Sequence, residues 1–318
     1  MRIMHEKKMK IKPRIIFIAL IIACLATLLL WPIGKQTSNN RQLKIITTIF
    51  PAYDFARAVS ANTNVDLKLL IKPGVDLHDY DPTPQDIIDV KESDIFIYNG
   101  GESEEWVGKI LTGIDKNKTT IVRMMDAVAL KEEVDSEASE PEYDEHIWTS
   151  VKNVIAISKK ITNTIIEHIP SDASTINQNY THFRTSLEAL DSNFQKLSAT
   201  KTGTLIVADR FPFRYFVDDY HFDYAAALPG CSEHTEASPK TITELIQKTS
   251  QSSPKIIFKL ELSDGKITDT IAKATNAKIL TWHSAHNISQ SDFDAGKTYI
   301  DIMRENLTNL SEALHDRA

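Results

Sequence analysis

Histidine is the residue type in this chain whose number and placement could do chemistry. The chain of 318 residues has ten histidines, and five of them lie at predicted strand-to-helix connections: His78, His146, His234, His283 and His286. In a parallel sheet these connections line the crevice at the carboxyl ends of the strands. Several neutral imidazoles in one crevice suit a first-row divalent metal, and they favour zinc over calcium or magnesium.

The segment around His78 reads G-V-D-L-H-D-Y-D-P-T-P-Q-D-I. Thr83 is a favourable N-cap, and Pro84 suits the first position of a helix. The pattern therefore predicts a short polar loop that presents His78 just before a rigid element. The same spacing is also that of an ordinary loop histidine, so the choice depends on the rest of the chain.

Short apolar runs alternate with helical patterns along most of the chain. Strands are predicted at residues 43–49, 65–71, 94–98, 119–124, 204–208, 222–228, 255–260 and 278–282. Helices are predicted at residues 51–61, 84–92, 102–114, 151–169, 212–220 and 266–275, from Pro239 onward, and at 291–314. This alternation predicts an α/β fold with parallel sheets covered on both faces.

The strongest helix signal begins near Ser171 or Asp172, just after Pro170. Apolar residues then recur at spacings of four and three: Ile176, Tyr180, Phe183, Leu187, Leu190, Phe194 and Leu197. Such a seam predicts a long rod with one buried face. Because the chain has no other candidate linker, we expect the rod to join two Rossmann-like lobes. The predicted units are residues 1–34, a leader; 35–170, the first lobe; 171–200, the linking helix; and 201–318, the second lobe.

The leader has the pattern of a secretion signal. Basic residues are concentrated in residues 2–14, and an apolar run follows over residues 15–32. Positive charge before an apolar core is typical of such signals. Ile21-Ile22-Ala23-Cys24 resembles a loose lipobox, which would make Cys24 the lipidated terminus. The apolar run also approaches the ~20 residues that span a bilayer, so an uncleaved anchor is an equal alternative. Both place the remainder outside the cytoplasm, tethered to the membrane.

The net charge narrows the classes of partner. The whole chain carries −7, but the part after residue 35 has 29 basic and 42 acidic residues and carries −13. An acidic body repels nucleic acid and suits cationic ligands. The two cysteines are Cys24 and Cys231, and the first lies in the leader, so the body has no disulfide framework. The acidic segment 126–145 fits a solvated loop, with a weak cation-gathering role as the alternative.

Four segments, in order along the chain, share a pattern with a known family. They are the His78 segment, then D-I-F-I-Y-N-G-G-E-S-E-E-W, D-E-H-I-W and Y-A-A-A-L-P-G-C-S-E-H-T-E-A-S. Together they resemble the zinc- and manganese-binding proteins of bacterial metal ABC importers, from Leu43 to the C-terminus. The resemblance implies two α/β lobes joined by one long helix, a metal bound between the lobes, and delivery of that metal to a membrane permease.

The resemblance also implies a ligand set. His78 matches the family's first histidine ligand and His146 the second. The third normally precedes a Phe-Gly-Tyr-like segment, but this chain reads A-D-R-F-P-F-R-Y there, with Asp209 and Arg210 and no histidine. The last ligand is usually an acid after the final strand, and His283 stands at that position. The implied set is therefore His78, His146 and His283, with Asp209 next.

The missing third histidine leaves the fourth ligand open. Besides Asp209, the candidates are His286, Glu233, His234 and water. Three imidazoles favour zinc, with manganese as the alternative. Among the aromatic residues, Tyr80, Trp106 and Trp148 are expected in the core, with packing around the metal as the alternative.

Two other functions compete with a monomeric metal receptor. An adhesin could use the same scaffold. A secreted zinc hydrolase would need an open coordination position and a nearby base, for which Asp209 or Glu233 could serve. The chain has no H-E-x-x-H motif, and the candidate ligands are scattered singly. We therefore expect a binding protein and not an enzyme.

Overall fold

Two parallel sheets form the framework of the body. The computed structural model describes residues 41–75, 77, 80–133, 142–228, 230 and 237–314. The leader with Cys24 lies outside these ranges, as do the predicted ligand His78 and the reserve candidates Glu233 and His234. Within the described ranges, no helix is both long enough and apolar enough to cross a bilayer.

Each sheet has four strands in the same spatial order. The first has the order β2-β1-β3-β4, with β1 (Leu43–Thr47), β2 (Val65–Leu69), β3 (Ile95–Tyr98) and β4 (Thr120–Arg123). The second has the order β6-β5-β7-β8, with β5 (Leu205–Val207), β6 (Tyr224–Ala226), β7 (Ile256–Lys259) and β8 (Lys278–Thr281). All neighbouring strands are parallel. The predicted α/β class with parallel sheets is confirmed.

Helices connect the strands and cover the sheets. They are α1 (Phe50–Ser60), α2 (Pro84–Glu92), α3 (Glu105–Leu111), α4 (Val151–His168), α5 (Ala173–Thr200), α6 (Arg214–Tyr220), α7 (Pro239–Gln251), α8 (Lys266–Thr275), α9 (Gln290–Asp294) and α10 (Tyr299–Leu314). Short 3-10 turns occupy Glu102–Glu104, Met124–Ala127, Ile147–Thr149 and Pro170–Asp172. The first of these turns occupies the first three residues of the helix predicted over 102–114, so the α-helix itself begins at Glu105.

The long helix α5 forms where the apolar seam predicts it. All seven residues of the seam are buried. The helix packs against α1 and α4, which precede it in the sequence, and against α6 and α10, which follow it. The predicted side-chain cap is absent, because Asp172 ends a 3-10 turn and its carboxylate makes no capping bond. The largest apolar cluster runs from the first sheet through this helix to the second sheet. The exact lobe boundaries stay a prediction.

The C-terminal segment forms two helices instead of the one predicted over 291–314. Gly296 lies between α9 and α10 with a φ of 74°, a left-handed conformation that favours glycine. The backbone N–H of Asp301 donates to the Thr298 hydroxyl at 3.1 Å, and the Thr298 N–H donates to the Asp301 carboxylate at 3.1 Å. This reciprocal cap starts a new helix, so the prediction of one continuous helix over this segment is wrong.

Candidate metal centre

A cleft of about 440 Å³ lies at the carboxyl ends of the strands. Its lining includes Leu77, His146, Asp209, Glu261 and His286. Asp209 follows β5 and Glu261 follows β7, the two strands between which the order of the second sheet reverses. Ligand crevices of open α/β sheets form at such switch points. Loops from both sheets therefore contribute to one crevice.

His146 lies almost fully buried in this cleft, at 4% exposure. Its backbone N–H donates to the Asp144 carboxylate at 2.8 Å, and its Nδ1 lies 2.9 Å from the same oxygen. A carboxylate at Nδ1 selects the tautomer that carries the proton there. The lone pair is then on Nε2, which is how metal-binding histidines are commonly oriented and made more basic. Asp144 is in turn held by Tyr215, whose hydroxyl donates to the Asp144 carbonyl at 2.9 Å.

His286 enters the cleft from a tight turn after β8. Ala285 adopts a φ of 60°, an uncommon conformation for a residue with a side chain. Its backbone N–H donates to Nδ1 of His283 at 2.9 Å, and the His286 N–H donates to the Ser284 hydroxyl at 3.1 Å. The turn separates the two histidines: His286 lines the cleft, whereas His283 does not.

His283 is buried, at 9% exposure. Asn306 holds its backbone through two hydrogen bonds of 2.8 Å, one to the N–H and one to the carbonyl. Its Nδ1 lies 3.4 Å from the Glu261 carboxylate. No distance among the described residues tests whether His283 binds a metal, so that role stays a prediction.

Glu261 holds the turn in place. Its carboxylate accepts hydrogen bonds from the backbone N–H of Ser284, at 2.7 Å, and from the Ser284 hydroxyl. Burial acts to raise the pKa of Glu261, but His283 and the bonds from Ser284 outweigh it and lower the pKa. Glu261 is therefore ionised, and both of its carboxylate oxygens accept hydrogen bonds from Ser284.

Trp148 is the aromatic partner of both cleft histidines. Its ring centroid lies 5.4 Å from that of His146 and 5.0 Å from that of His286. The indole N–H donates to the Ser284 carbonyl at 2.9 Å, and Tyr299 donates to the Trp148 carbonyl at 2.8 Å. Trp148 is fully buried, so it is both a core residue and the support of the two imidazoles.

The loop that leads to His78 is held by the opposite half of the chain. Asn287 donates its side-chain N–H to the carbonyls of Lys72 and Val75, and the Gly74 N–H donates to the Ile288 carbonyl at 2.8 Å. Leu77, the neighbour of His78, is buried and lines the cleft. Although His78 is outside the described residues, its predecessor is placed at the crevice by these contacts.

The predicted helix start after His78 is confirmed. Thr83 and Asp86 form a reciprocal capping box at the start of α2, with Pro84 in the first turn. Tyr80 donates to the Asp86 carboxylate at 2.9 Å, and its ring centroid lies 5.3 Å from that of Trp106. These contacts fix the far end of the loop.

Asp209 lines the cleft, but both of its carboxylate oxygens accept backbone hydrogen bonds. One accepts from the Arg210 N–H at 2.9 Å and the other from the Leu260 N–H at 3.3 Å. These bonds join the ends of β5 and β7. Asp209 thus lines the same cleft as the candidate ligands, but its carboxylate is hydrogen-bonded to the backbone. Its role as a ligand stays a prediction.

A group of acidic residues lies in and near the segment 126–145. Carboxylate oxygens of Glu102, Glu133 and Glu142 lie within 4.8 Å of one another. Burial, followed by the charge of Asp144, raises the pKa of Glu133. Exposed acidic groups often cluster without binding an ion, so the cation-gathering role of this segment stays a prediction.

The structure thus brings together His146, His286, Asp209 and Glu261 at the cleft, and it buries His283 beside Glu261. The sequence reasoning named His286 only as a reserve. The signal that separates it from His283 is the conformation of Ala285, which a strand-by-strand match does not reveal. Arg210, noted only as a departure from the family pattern, also lines the cleft.

Comparisons with known proteins identify relatives of the whole chain. The zinc-binding lipoprotein AdcA of Streptococcus pneumoniae is 26% identical over 304 residues, which cover 93% of this chain and 60% of that protein. The high-affinity zinc uptake system protein ZnuA of Bacillus subtilis is 26% identical over 290 residues, covering 88% of this chain and 90% of that protein. The chain thus spans less than two thirds of AdcA but most of ZnuA.

The fold has solved counterparts. The crystal structure of the metal-dependent lipoprotein YcdH from Bacillus subtilis superposes with a TM-score of 0.74 at 26% identity, covering 86% of this chain and all of that one. A family model described as zinc-uptake complex component A, periplasmic, matches residues 45–313. That match takes in both sheets, the long helix and the cleft, so the chain belongs to the zinc-uptake complex component A family.

Proposed function

We propose that this chain is an extracytoplasmic binding protein that captures zinc in the cleft and passes it to the permease of an ABC importer. The observation that carries the proposal is the meeting of two imidazoles, those of His146 and His286, from loops of different sheets in one cleft. The oriented Nδ1 of His146 and the zinc-uptake names of the relatives support the same function.

The proposed ligands are His78, His146 and a third imidazole from the turn after β8. By position in the cleft that third ligand is His286; by resemblance it is His283. Asp209 is the acidic candidate. Manganese remains the alternative metal, because carboxylate or water ligands in place of an imidazole would suit it better.

The packing of the long helix supports a mode of delivery without wide opening of the cleft. The 28-residue helix α5 packs against elements of both halves of the chain, which opposes wide opening of the cleft. Release would then come from docking on the permease and from local shifts of the loops. The leader would hold the protein at the outer face of the membrane through Cys24 or as an uncleaved anchor. We further propose that it works as a monomer with the lobe boundaries given above.

The hydrolase alternative finds little support in the cleft. A catalytic zinc needs a free general base beside its open position. Glu261 is bonded to Ser284, and Asp209 is bonded to two backbone N–H groups. An adhesin on this scaffold would not require tight zinc binding.

Equilibrium dialysis of the full chain in detergent, with zinc and manganese in parallel, tests the proposal. We expect stoichiometric zinc binding that His146→Ala weakens by more than the roughly 10- to 100-fold typical for loss of a group that only orients a metal ligand. His182→Ala, an exposed histidine on α5, is the matched control. A wild-type chain that binds neither metal, or one that shows metal-dependent hydrolysis, would overturn the receptor.

A further inference from the structure

A tight turn from the first half of the chain forms one wall of the cleft. This wall turn, residues 72–75, lies between β2 and α2, and Gly74 and Val75 line the cleft with the buried Leu77. The Val75 N–H donates to the Lys72 carbonyl at 3.2 Å, and Gly74 has a φ of 81°. A type II turn favours proline at its second position and requires a positive φ at its third, which Pro73 and Gly74 supply. The wall turn is therefore a preformed unit.

The opposite half of the chain holds this wall turn through Asn287 and Ile288. The side-chain amide of Asn287 donates to the carbonyls of Lys72, at 3.3 Å, and Val75. In return, the Gly74 N–H donates to the Ile288 carbonyl at 2.8 Å. The two bonds from Asn287 join residues that lie 215 and 212 positions apart. They therefore connect the two halves of the chain directly at the cleft.

The amide of Asn287 is oriented for this contact. Asn287 is 8% exposed, and its Oδ1 accepts from the Ile288 N–H at 2.7 Å. Because that bond fixes the acceptor end of the amide, the two N–H donors face the wall turn. A buried amide with both ends bonded is stable, whereas removal of its donors leaves buried carbonyls without a partner.

The same short segment carries a candidate zinc ligand. Asn287 directly follows His286, and both residues line the cleft. The dipeptide thus presents an imidazole from the second half of the chain and holds the wall contributed by the first half. Any movement of the wall turn away from Asn287 widens the cleft next to His286 and admits water to it.

We propose that Asn287 is a positioning residue that holds the wall turn at the cleft and slows the escape of bound zinc. This inference rests on the proposed zinc-binding function and names the contact that breaks when the metal is released. Asn287 does not need to touch the ion, because its effect passes through the wall turn. A change in such a contact alters mainly the dissociation rate of the ligand.

The first test measures zinc release from the loaded full chain in detergent, by stopped flow into excess EDTA. We expect Asn287→Ala to raise the zinc dissociation rate by about tenfold or more, because two hydrogen bonds across the cleft are lost. The association rate should change less. Asn309→Ala is the matched control, since the Asn309 amide donates to the Thr281 carbonyl at 2.9 Å within the second half. It should release zinc at the wild-type rate.

Amide hydrogen exchange of the zinc-free full chain separates a local contact from a general loss of stability. The Gly74 N–H should exchange about tenfold faster or more in Asn287→Ala. The Ala208 N–H, which donates to the Phe258 carbonyl at 2.8 Å inside the second sheet, should keep its wild-type protection. Asn287→Asp keeps an acceptor for the Ile288 N–H and lacks only the donors, so it should show the same faster exchange at Gly74.

The outcomes distinguish this inference from the function on which it rests. Zinc release at the wild-type rate from Asn287→Ala, unchanged exchange at Gly74, or equally faster exchange at Gly74 and Ala208 would each refute the positioning role alone. A wild-type chain that binds no zinc would refute the receptor. The exchange of Gly74 in the zinc-free chain would then still show whether Asn287 holds the wall turn.

Discussion

The imidazole rings of His146 and His286 lie 5.5 Å apart, centroid to centroid, with an angle of 85° between their planes. His146 follows the acidic segment after the first sheet, and His286 follows the last strand of the second. Zinc–nitrogen bonds of about 2.0–2.1 Å in a tetrahedral shell place ligand rings at such separations. The two rings are therefore spaced to bind one zinc ion together.

The two histidines of the turn after β8 should respond differently to substitution. His286→Ala should weaken zinc binding by well over tenfold, because it removes a ring that lines the cleft. His283→Ala should have a smaller effect on affinity and a larger one on stability, since it removes a buried partner of Glu261. Calorimetric titration with zinc, paired with thermal unfolding of the metal-free protein, measures both.

His182→Ala on the exposed face of α5 controls for the loss of a histidine as such. If His283→Ala abolishes binding while His286→Ala leaves it intact, the ligand is His283, the residue that the family resemblance implies, and not His286.

The contact between Asp144 and His146 should set the metal affinity. Asp144→Asn leaves a neutral amide oxygen to accept from the backbone N–H and Nδ1 of His146, so it removes the negative charge that makes Nε2 more basic. We expect the affinity to fall by about 10- to 100-fold with little change in fold. Asp223→Asn, an exposed residue before β6, is the control. Equal affinities for wild type and Asp144→Asn would show that Nε2 is not the ligand atom.

The buried carboxyl group of Glu104 should make stability depend on pH. Burial raises its pKa to about 7. Between pH of about 4.5, where an exposed carboxyl ionises, and about 7, the unfolded chain releases a proton that the folded chain keeps. The contribution of this group to stability is thus full below about 4.5 and is lost as pH rises through 7.

Glu104→Gln should remove that dependence. At pH of about 8 the variant should be more stable than wild type by on the order of 3 kcal/mol, and near pH 4.5 the difference should vanish. Denaturant unfolding of the zinc-free chain across this range provides the measurement. Glu105→Gln, the exposed neighbour, should leave the pH profile unchanged. A constant offset at every pH would contradict a proton held by Glu104.

Asp54, which pairs with Arg57 in the same helix, should hold α1 to the start of α10. Asp54 is 1% exposed, and it accepts hydrogen bonds from Arg57 and from the Tyr299 N–H, the latter at 2.7 Å. Asp54→Ala strands two donors, so we expect a loss of about 3 kcal/mol in unfolding free energy. Asp66→Ala, exposed on β2, is the control. A double-mutant cycle with Arg57→Ala that gives simple additivity would argue against a coupled pair.

Features with a local signal were predictable from the sequence. Thr83 and Pro84 mark a helix start because the cap and the first turn need those residue types, and the structure confirms the helix. The seam from Ile176 to Leu197 was predictable because a buried helix face imposes its period on the sequence. The reciprocal cap of Thr298 and Asp301 had a signal too, T-Y-I-D, which the prediction of one continuous helix passed over.

The orientation of the turn after β8 had no local signal. It depends on the hydrogen bond between Ser284 and Glu261, which lie 23 residues apart, and on the left-handed conformation of Ala285. Alanine rarely adopts a positive φ, so its presence in the sequence does not predict this conformation. Which of two neighbouring histidines faces a crevice is decided by these tertiary contacts, beyond the reach of spacing or motif.

The bond from the Trp148 indole to the Ser284 carbonyl joins residues 136 positions apart. The pocket therefore does not exist on a nascent or partly unfolded chain, and only the completed tertiary structure can take up its cargo. Ligand that binds the native form alone shifts the folding equilibrium by mass action. The melting temperature of this protein should accordingly rise with free zinc, so that its resistance to heat and proteolysis reports how much metal the surroundings supply.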